Sequence, residues 1–214
     1  MEQIELKHTL PEVFATRDDI VSDIWHQEVS FEKGHLYLIE ASSGTGKSSL
    51  CSYIIGQRRD YQGIIAFDGT NIRRLGVSEW TTIRQRHIVQ LFQDLRLFAE
   101  LTAMENVQIK NRLTGFKTKK QIRRWFEQLD IADKMDTKVG KMSFGQQQRV
   151  AMIRSLVQPF DFLLADEPIS HLDDKNSTTM GDIMMEEAQR QGAGVIVTSI
   201  GKHMQLNYEK TFHL

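Results

Sequence analysis

The chain has 214 residues, and its 27 lysines and arginines nearly balance its 28 aspartates and glutamates. This length suits one domain with a large buried core, and the balanced charge gives no electrostatic reason to expect a nucleic-acid partner. The single cysteine, Cys51, excludes an internal disulfide and fits a reducing compartment. The first five residues do not form a secretory signal, and no apolar run approaches the ~18–20 residues of a membrane span. We therefore expect a cytoplasmic chain that does not insert into a membrane.

The N-terminal part alternates short β-type segments with turns and one helix. Lys33-Gly34 signals a turn before an apolar strand. A helix is expected to begin at Lys47, and Gly56 is suited to cap its C-terminal end. The predicted elements are strands at residues 35–40, 64–67 and 86–92 and a helix at residues 47–55.

Residues 94–140 have helical character. Thr118 and Gln121 form a capping-box pattern at the start of one helix. Behind that start, four apolar residues recur at helical spacing and predict a buried face: Ile122, Trp125, Phe126 and Leu129. A neighbouring basic cluster is expected to be a solvated helix face rather than a binding patch: Lys117, Lys119, Lys120, Arg123 and Arg124.

The remainder of the chain returns to alternating helices and strands. A helix is predicted from Ser143 to just before Pro159. Its buried stripe is expected to consist of Val150, Ile153, Leu156 and Val157. Apolar strands are predicted at residues 160–165 and 194–197, on either side of a helical stretch. Near-continuous apolar strands that alternate with helices indicate an α/β core around a parallel sheet.

A glycine-rich segment at residues 41–48 lies between the first predicted strand and the predicted helix at Lys47. Glycines allow a tight backbone turn, so that successive N–H groups and the helix N-terminus face anionic oxygens. Lys47 supplies a positive charge for the β- and γ-phosphates, and Ser48 supplies a hydroxyl ligand for Mg²⁺. Ala41 stands where this motif usually has its first glycine, and we expect only a slight backbone adjustment there. The segment predicted to bind ATP comprises Ser42, Ser43, Gly44, Thr45, Gly46, Lys47, Ser48 and Ser49.

Further motifs follow this phosphate loop. Residues 88–94 read IVQLFQD, residues 101–107 read LTAMENV, residues 142–149 read MSFGQQQR and residues 162–168 read FLLADEP. In this order and over nearly the whole chain, they resemble the Q-loop, signature and Walker B segments of ATP-binding cassette (ABC) ATPases. The resemblance is nearest to the branch that serves lipoprotein release, macrolide export and cell division.

The resemblance implies both the fold and its division. It implies an α/β P-loop NTPase with an ABC-type core around a parallel sheet, an antiparallel N-terminal β subdomain and an inserted α-helical subdomain. One ABC ATPase domain would then span residues 1–214. Residues 1–93 and 141–214 would form the RecA-like core with the β subdomain, and residues from about 94 to 140 the helical subdomain that leads into the signature helix.

The resemblance also implies roles at the hydrolytic centre. Gln93 would contact Mg²⁺ and the attacking water, and Asp166 would hold Mg²⁺ together with Ser48. Glu167 would be the general base, acting beside Lys47. Two adjacent acids at a strand end are costly unless a cation or water uses them. Phe14 lies where the family places an aromatic ring that stacks on adenine, although core packing explains this residue equally well.

The signature segment implies a second copy of the chain. In the family, this motif closes over ATP held by the partner's phosphate loop, so Ser143, Gly145 and Gln146 are expected to contact the ATP of a partner subunit in a head-to-tail homodimer. Ser170 and Asp173 lie in a segment that resembles the D-loop, which couples the two sites. His171, between them, is expected to be an interface residue rather than a metal ligand.

Besides Ala41, two residues depart from the family pattern in ways that bear on hydrolysis. Phe144 replaces the first glycine of the usual L-S-G-G-Q signature, where glycine allows close backbone approach to the opposing phosphate. Ser199 replaces the histidine that usually follows the last core strand, and a serine cannot become a cation. His203 lies four residues further on and could substitute only if the loop refolded.

The resemblance therefore predicts an ATPase subunit that binds ATP and Mg²⁺ and powers a separate membrane permease. The permease would dock near Asp94–Val107, which places the chain on the inner face of the cell membrane. Phe144 and Ser199 favour an alternative, an ATP-dependent clamp with weak or no hydrolysis. A soluble DNA-repair or translation type of ABC protein is a further alternative, but the coiled coils, zinc modules and tandem cassettes usual in those proteins are missing from the sequence. A P-loop kinase would leave the signature and D-loop segments unexplained.

Overall fold

The computed structural model describes residues 1–17, 19–170 and 172–214. Within these residues the strands form two sheets. The strands are β1 (Gln3–Pro11), β2 (Glu28–Glu32), β3 (Leu36–Glu40), β4 (Tyr61–Phe67), β5 (Thr70–Asn71), β6 (Ile88–Leu91), β7 (Phe162–Asp166), β8 (Gly194–Ser199) and β9 (Lys210–His213). The α-helices are α1 (Lys47–Ile54), α2 (Val77–Arg86), α3 (Ala103–Asn111), α4 (Lys119–Gln128), α5 (Phe144–Leu156) and α6 (Asp174–Gln191).

The first sheet is antiparallel and is built mainly from the N-terminal part. Its strand order is β2-β1-β4-β5, and every pair in it is antiparallel. Ile4 and Leu6 on β1 are fully buried and alternate with more exposed residues, as one-sided burial of a strand requires. This sheet confirms the predicted antiparallel β subdomain.

The second sheet is parallel and confirms the predicted α/β core. Its order is β6-β7-β8-β3-β9, with parallel pairing throughout. All residues of β7 and β8 are buried, because helices cover both faces of such a sheet. The strand expected at residues 160–165 begins at Phe162 and extends to Asp166, and the strand expected at residues 194–197 extends to Ser199. These extensions bring polar residues to the carboxyl edge of the sheet.

The helix predicted at residues 47–55 is confirmed as α1. It ends at Ile54, and Gly56 just beyond it has φ +67°, the left-handed conformation that glycine adopts without strain. A Cβ atom at Gly56 would also lie 2.4 Å from the ring of Trp80 on α2. Gly56 therefore both ends α1 and allows α2 to pack against it.

The helical character predicted for residues 94–140 is confirmed by α3 and α4. The capping box at α4 forms as expected, since Thr118 Oγ1 accepts from Gln121 N at 3.2 Å and Gln121 Oε1 accepts from Thr118 N at 3.0 Å. The predicted stripe is buried: Ile122, Trp125, Phe126 and Leu129. Whether residues 94–140 form a separate subdomain stays a prediction.

The expectation of a solvated basic face is wrong for Lys117. Its side chain is buried, and its ammonium lies 2.6 Å from a carboxylate oxygen of Glu187 on α6. The rings of Phe116 and Trp125 are 4.7 and 5.0 Å from the same nitrogen. Lys117 precedes the cap residue Thr118 and so lies off the helix face, whereas the other four members of the cluster are exposed. None of the helices in the described ranges is long and apolar enough to span a membrane.

Candidate active site

The phosphate loop connects the end of β3 to the start of α1. Gly44 and Gly46 have φ of +84° and +101°, which side-chain-bearing residues rarely adopt. Thr45 Oγ1 and Lys47 Nζ both donate to the carbonyl oxygen of Ser42, at 2.9 and 3.0 Å. Lys47 is 5% exposed, so its ammonium is held under the loop, while Ser42, Ser43 and Gly44 face solvent. This is a backbone cradle beside a helix N-terminus, which suits an anion.

Two carboxylates follow β7 at the same edge of the sheet. Asp166 is buried and accepts a hydrogen bond from Thr198 Oγ1 at 2.7 Å. The next residue, Glu167, has φ +49°, a rare conformation for a residue with a side chain. Its backbone N–H donates to the carbonyl oxygen of Thr198 at 3.2 Å. Backbone strain of this kind clusters at functional sites, where it fixes the direction of a side chain.

The Glu167 carboxylate lies between Gln93 and Lys47. Gln93 Nε2 donates to Glu167 Oε2 at 3.1 Å, and Lys47 Nζ is 3.8 Å from Glu167 Oε1. Burial raises the pKa of Glu167 above its ordinary value; Lys47 opposes this rise and Asp166 adds to it. A carboxylate with a raised pKa is the better proton acceptor. The carboxyl edge of the sheet and the start of α1 thus bring together residues from three distant parts of the sequence: Lys47, Gln93 and the neighbouring pair Asp166 and Glu167.

Ser48, Gln93 and Asp166 fit a magnesium ion by their chemistry. They offer a hydroxyl, an amide oxygen and a carboxylate, and Mg²⁺ prefers oxygen ligands, usually one or two carboxylates completed by phosphate and water. Asp166 is 3% exposed and forms no ion pair within the described part of the chain. A buried carboxylate without a cation is costly, so a bound cation would stabilise it.

Phe14 lies beside the phosphate loop. A Cβ atom at Gly46 would be 3.3 Å from Phe14 Cε2 and 3.0 Å from Trp25 Cζ2. Trp25 Nε1 donates to the carbonyl oxygen of Thr45 at 2.9 Å, so both rings pack on the loop, and both line a cavity of about 200 Å³. Trp25 was not predicted from the sequence, because an isolated tryptophan before a strand carries no signal of its own.

The signature segment begins α5. Ser143 Oγ accepts from Gln146 N at 3.3 Å, and Gln146 Oε1 accepts from Ser143 N at 3.0 Å, so the two residues form a capping box. Phe144 and Gly145 lie in the first turn, and Phe144 is 41% exposed. Gln147 and Gln148 have structural contacts that the motif did not indicate. Gln147 Nε2 donates to the carbonyl oxygen of Met142 at 3.0 Å, and Gln148 Nε2 donates to that of Pro168 at 3.1 Å.

The segment that resembles the D-loop leads into α6. Ser170 is exposed, and Gln148 Nε2 lies 3.4 Å from its hydroxyl oxygen. Asp173 is the N-cap of α6 and accepts from Asn176 N at 2.8 Å. Asp173 was expected only in the coupling segment; its position before a helix could also have indicated this capping role. His171, expected at the interface, lies outside the described residues.

Ser199 ends β8 beside the phosphate loop, but its hydroxyl already has a partner. Ser199 is 1% exposed, and its Oγ donates to the carbonyl oxygen of Lys202 at 2.7 Å. His203 lies elsewhere: its Nδ1 is 3.4 Å from a Glu40 carboxylate oxygen and its ring contacts Tyr208 at 5.7 Å. The imidazole is therefore engaged by residues at the end of β3 and before β9.

A parallel sheet with a phosphate cradle and two carboxylates at its carboxyl edge defines a P-loop ATPase. A family model described as "ABC transporter" matches residues 26–170. The lipoprotein-releasing system ATP-binding protein LolD of Bacteroides fragilis (strain YCH46) is 30% identical over 190 residues, which cover 87% of this chain and 88% of that protein. The macrolide export ATP-binding/permease protein MacB of Shewanella sp. (strain ANA-3) is 26% identical over 87% of this chain and 29% of that longer protein. The chain belongs to the ABC transporter family.

Solved structures agree with this assignment. The dimeric structure of MJ0796, a bacterial ABC transporter cassette, matches with a TM-score of 0.73 and 27% identity, over 92% of this chain and 87% of that one. A second structure shows MJ0796 as a dimer in a post-hydrolysis state bound to ADP and Pi, with the same TM-score, identity and coverage. The predicted fold class, an ABC-type P-loop NTPase, is confirmed.

Proposed function

We propose that this chain is the ATP-binding and ATP-hydrolysing subunit of an ABC transporter-type membrane complex, in which ATP joins two copies head to tail and thereby drives a separate permease. The observation that carries the proposal is the arrangement around Glu167. A partly dehydrated carboxylate stands between Lys47 and Gln93, directly beside a phosphate cradle. This is the geometry needed to place a water against a bound terminal phosphate.

In this proposal each residue performs one task. The N–H groups of residues 42–49 and the Lys47 ammonium bind the phosphates, and the ammonium leaves Ser42 and Glu167 to do so. Gln93 orients the attacking water, and Glu167 accepts its proton. Ser48, Gln93 and Asp166 would hold Mg²⁺, which neutralises charge on the phosphate oxygens when bound. Phe14 stacks on the adenine ring at the edge of the loop.

Dimerisation follows from the position of the signature helix in this proposal. Ser143, Gly145 and Gln146 lie at the start of α5, and a helix N-terminus presents free N–H groups to an anion. These residues would contact the ATP bound by the partner copy. Ser170 and Asp173 would lie at the same interface. The solved dimers of a similar cassette support this arrangement.

The permease would dock near Asp94–Val107, which would place the chain on the inner face of the cell membrane. Phe98 in this segment is 54% exposed, which is unusual for a phenylalanine and suits contact with a partner. Neighbouring side chains also offer charge to a partner surface, since Asp94, Arg96 and Glu100 are exposed. The relatives named for lipoprotein release and macrolide export support a membrane partner of this kind.

Steady-state hydrolysis of ATP with Mg²⁺ tests the proposal. The wild-type protein should release phosphate, and Glu167→Gln should slow turnover by about 10²- to 10⁴-fold, because it removes the proton acceptor. Glu127→Gln, on the exposed face of α4, is the matched control and should leave turnover unchanged. Absence of wild-type turnover, combined with tight ATP-driven dimerisation, would instead support a clamp with weak hydrolysis, which the engaged hydroxyl of Ser199 favours.

A further inference from the structure

The last two residues of β8, Thr198 and Ser199, contact three parts of the candidate site. The backbone N–H of Ala41, in the phosphate loop, donates to the carbonyl oxygen of Ser199 at 3.1 Å. The N–H of Glu167 donates to the carbonyl oxygen of Thr198 at 3.2 Å, and Thr198 Oγ1 donates to Asp166 at 2.7 Å. The phosphate loop and both carboxylates therefore depend on the same two neighbouring residues for their position.

Lys202 extends this set of contacts to the segment after β7. The hydrogen bond from Ser199 Oγ to the carbonyl oxygen of Lys202 closes a turn in which Gly201 has φ +80°. From this turn, Lys202 Nζ donates to the carbonyl oxygen of Leu172 at 3.1 Å and lies 3.3 Å from a carboxylate oxygen of Asp174. One side chain thus joins the loop after β8 to residues 172–174.

The hydrogen bond to Leu172 is the more important of these two contacts. The side chains of Lys202 and Asp174 are 53% and 97% exposed, so solvent screens their ion pair and the pair adds little stability. The bond to the carbonyl oxygen is directional and charge-assisted. The Leu172 side chain is buried in the core, so this bond fixes a backbone segment that is already anchored on its other side.

We propose that Lys202 is a positioning residue for ATP-driven closure and hydrolysis: its ammonium keeps the backbone of Leu172, next to Asp173, in register with the turn after Ser199, the residue that contacts the phosphate loop. The inference rests on the proposed function, which assigns Ser170 and Asp173 to the dimer interface. Through Lys202, a shift of the phosphate loop on ATP binding would reach the interface of the same subunit. The link depends on the long, charged side chain of Lys202. Ser199 stands where the family usually has a histidine, and its short side chain is already hydrogen-bonded to the carbonyl oxygen of Lys202.

Three lysine variants test the proposal in the full-length protein. Lys202→Met removes the ammonium but keeps the length of the side chain, and it should lower kcat about tenfold while KM for ATP changes less than about twofold. Lys202→Arg can still donate to the carbonyl oxygen and should restore most of the turnover. Lys120→Met, on the exposed face of α4, is the matched control and should behave as wild type. All three should unfold at the wild-type temperature, since the contact is largely solvent-exposed.

Dimerisation provides a readout that does not require hydrolysis. In sedimentation experiments with ATP on a Glu167→Gln background, Lys202→Met should weaken the dimer about tenfold and Lys202→Arg should not. Equal kcat and equal dimerisation in Lys202→Met and wild type would overturn the inference and leave the proposed function intact. A wild-type protein that neither hydrolyses ATP nor dimerises with it would overturn both.

Discussion

Two lysine–glutamate pairs with buried lysines differ in how completely the carboxylate is hydrogen-bonded. Glu187 accepts from Lys117 at 2.6 Å and from Arg190 and Gln191 on its own helix. Glu167 is 3.8 Å from Lys47 and, within the described residues, accepts a hydrogen bond from Gln93 at 3.1 Å. The first pair has its hydrogen bonds filled and joins residues before α4 to α6. The second pair is loose, since Lys47 donates to the carbonyl oxygen of Ser42 instead, so a ligand could recruit both its lysine and its carboxylate.

The difference shows how a fold can use one pair of residue types in two ways. A buried ion pair that is fully hydrogen-bonded fixes the position of the elements it joins, whereas breaking it leaves an uncompensated charge. The partly buried carboxylate of Glu167 has a raised pKa, because burial disfavours its charged form. The incomplete pair is the one beside the phosphate cradle, where a ligand would complete it.

The largest expected effect on ATP binding is that of Lys47→Ala. We expect the affinity for ATP to fall by about 100-fold, because the variant removes a buried cation that faces the phosphates. Titration calorimetry with ATP measures this directly, and Lys120→Ala on the exposed face of α4 is the matched control. Unchanged affinity in Lys47→Ala would mean that the phosphates bind elsewhere.

A smaller effect concerns the stability of Glu167→Gln as the pH changes. The folded-state pKa of Glu167 is raised, so its ionised form is less favourable in the folded than in the unfolded chain. Glu167→Gln should therefore unfold at a higher urea concentration than wild type at neutral pH. The advantage should shrink as the pH falls through the raised pKa and vanish below the ordinary glutamate value. A variant less stable than wild type at neutral pH would show that Glu167 stabilises the fold.

Local patterns in the sequence predicted the strands that carry the site. The apolar runs that end in Glu40 and Asp166, the capping signal at Thr118 and the helix start at Ser143 are local features with a fixed geometry. The structure has them within about two residues of the predicted bounds. The edge strand β9 begins at Lys210, ends at His213 and buries one residue, Phe212, so its sequence resembles that of a loop.

Tertiary contacts account for what the patterns missed. Helix α2 buries only Trp80, so its apolar periodicity is too weak to detect, and the strand predicted from residue 86 begins at Ile88 instead. Lys117 is an ordinary lysine in sequence, and only Glu187 on a distant helix explains its burial. Likewise, the Lys202 contact with Leu172 joins two loops whose meeting depends on the whole sheet. Partners remote in sequence leave no local signal.

The contrast between the two ion pairs is tested most directly by two matched variants, Glu167→Gln and Glu187→Gln. Turnover and the free energy of unfolding are measured for each. Glu167→Gln should lose turnover and unfold at no lower urea concentration than wild type. Glu187→Gln should hydrolyse ATP at the wild-type rate per folded molecule but lose about 3–5 kcal/mol of stability, because Lys117 is left without its carboxylate. Equal losses of stability in both variants, or loss of turnover in a folded Glu187→Gln protein, would contradict the account.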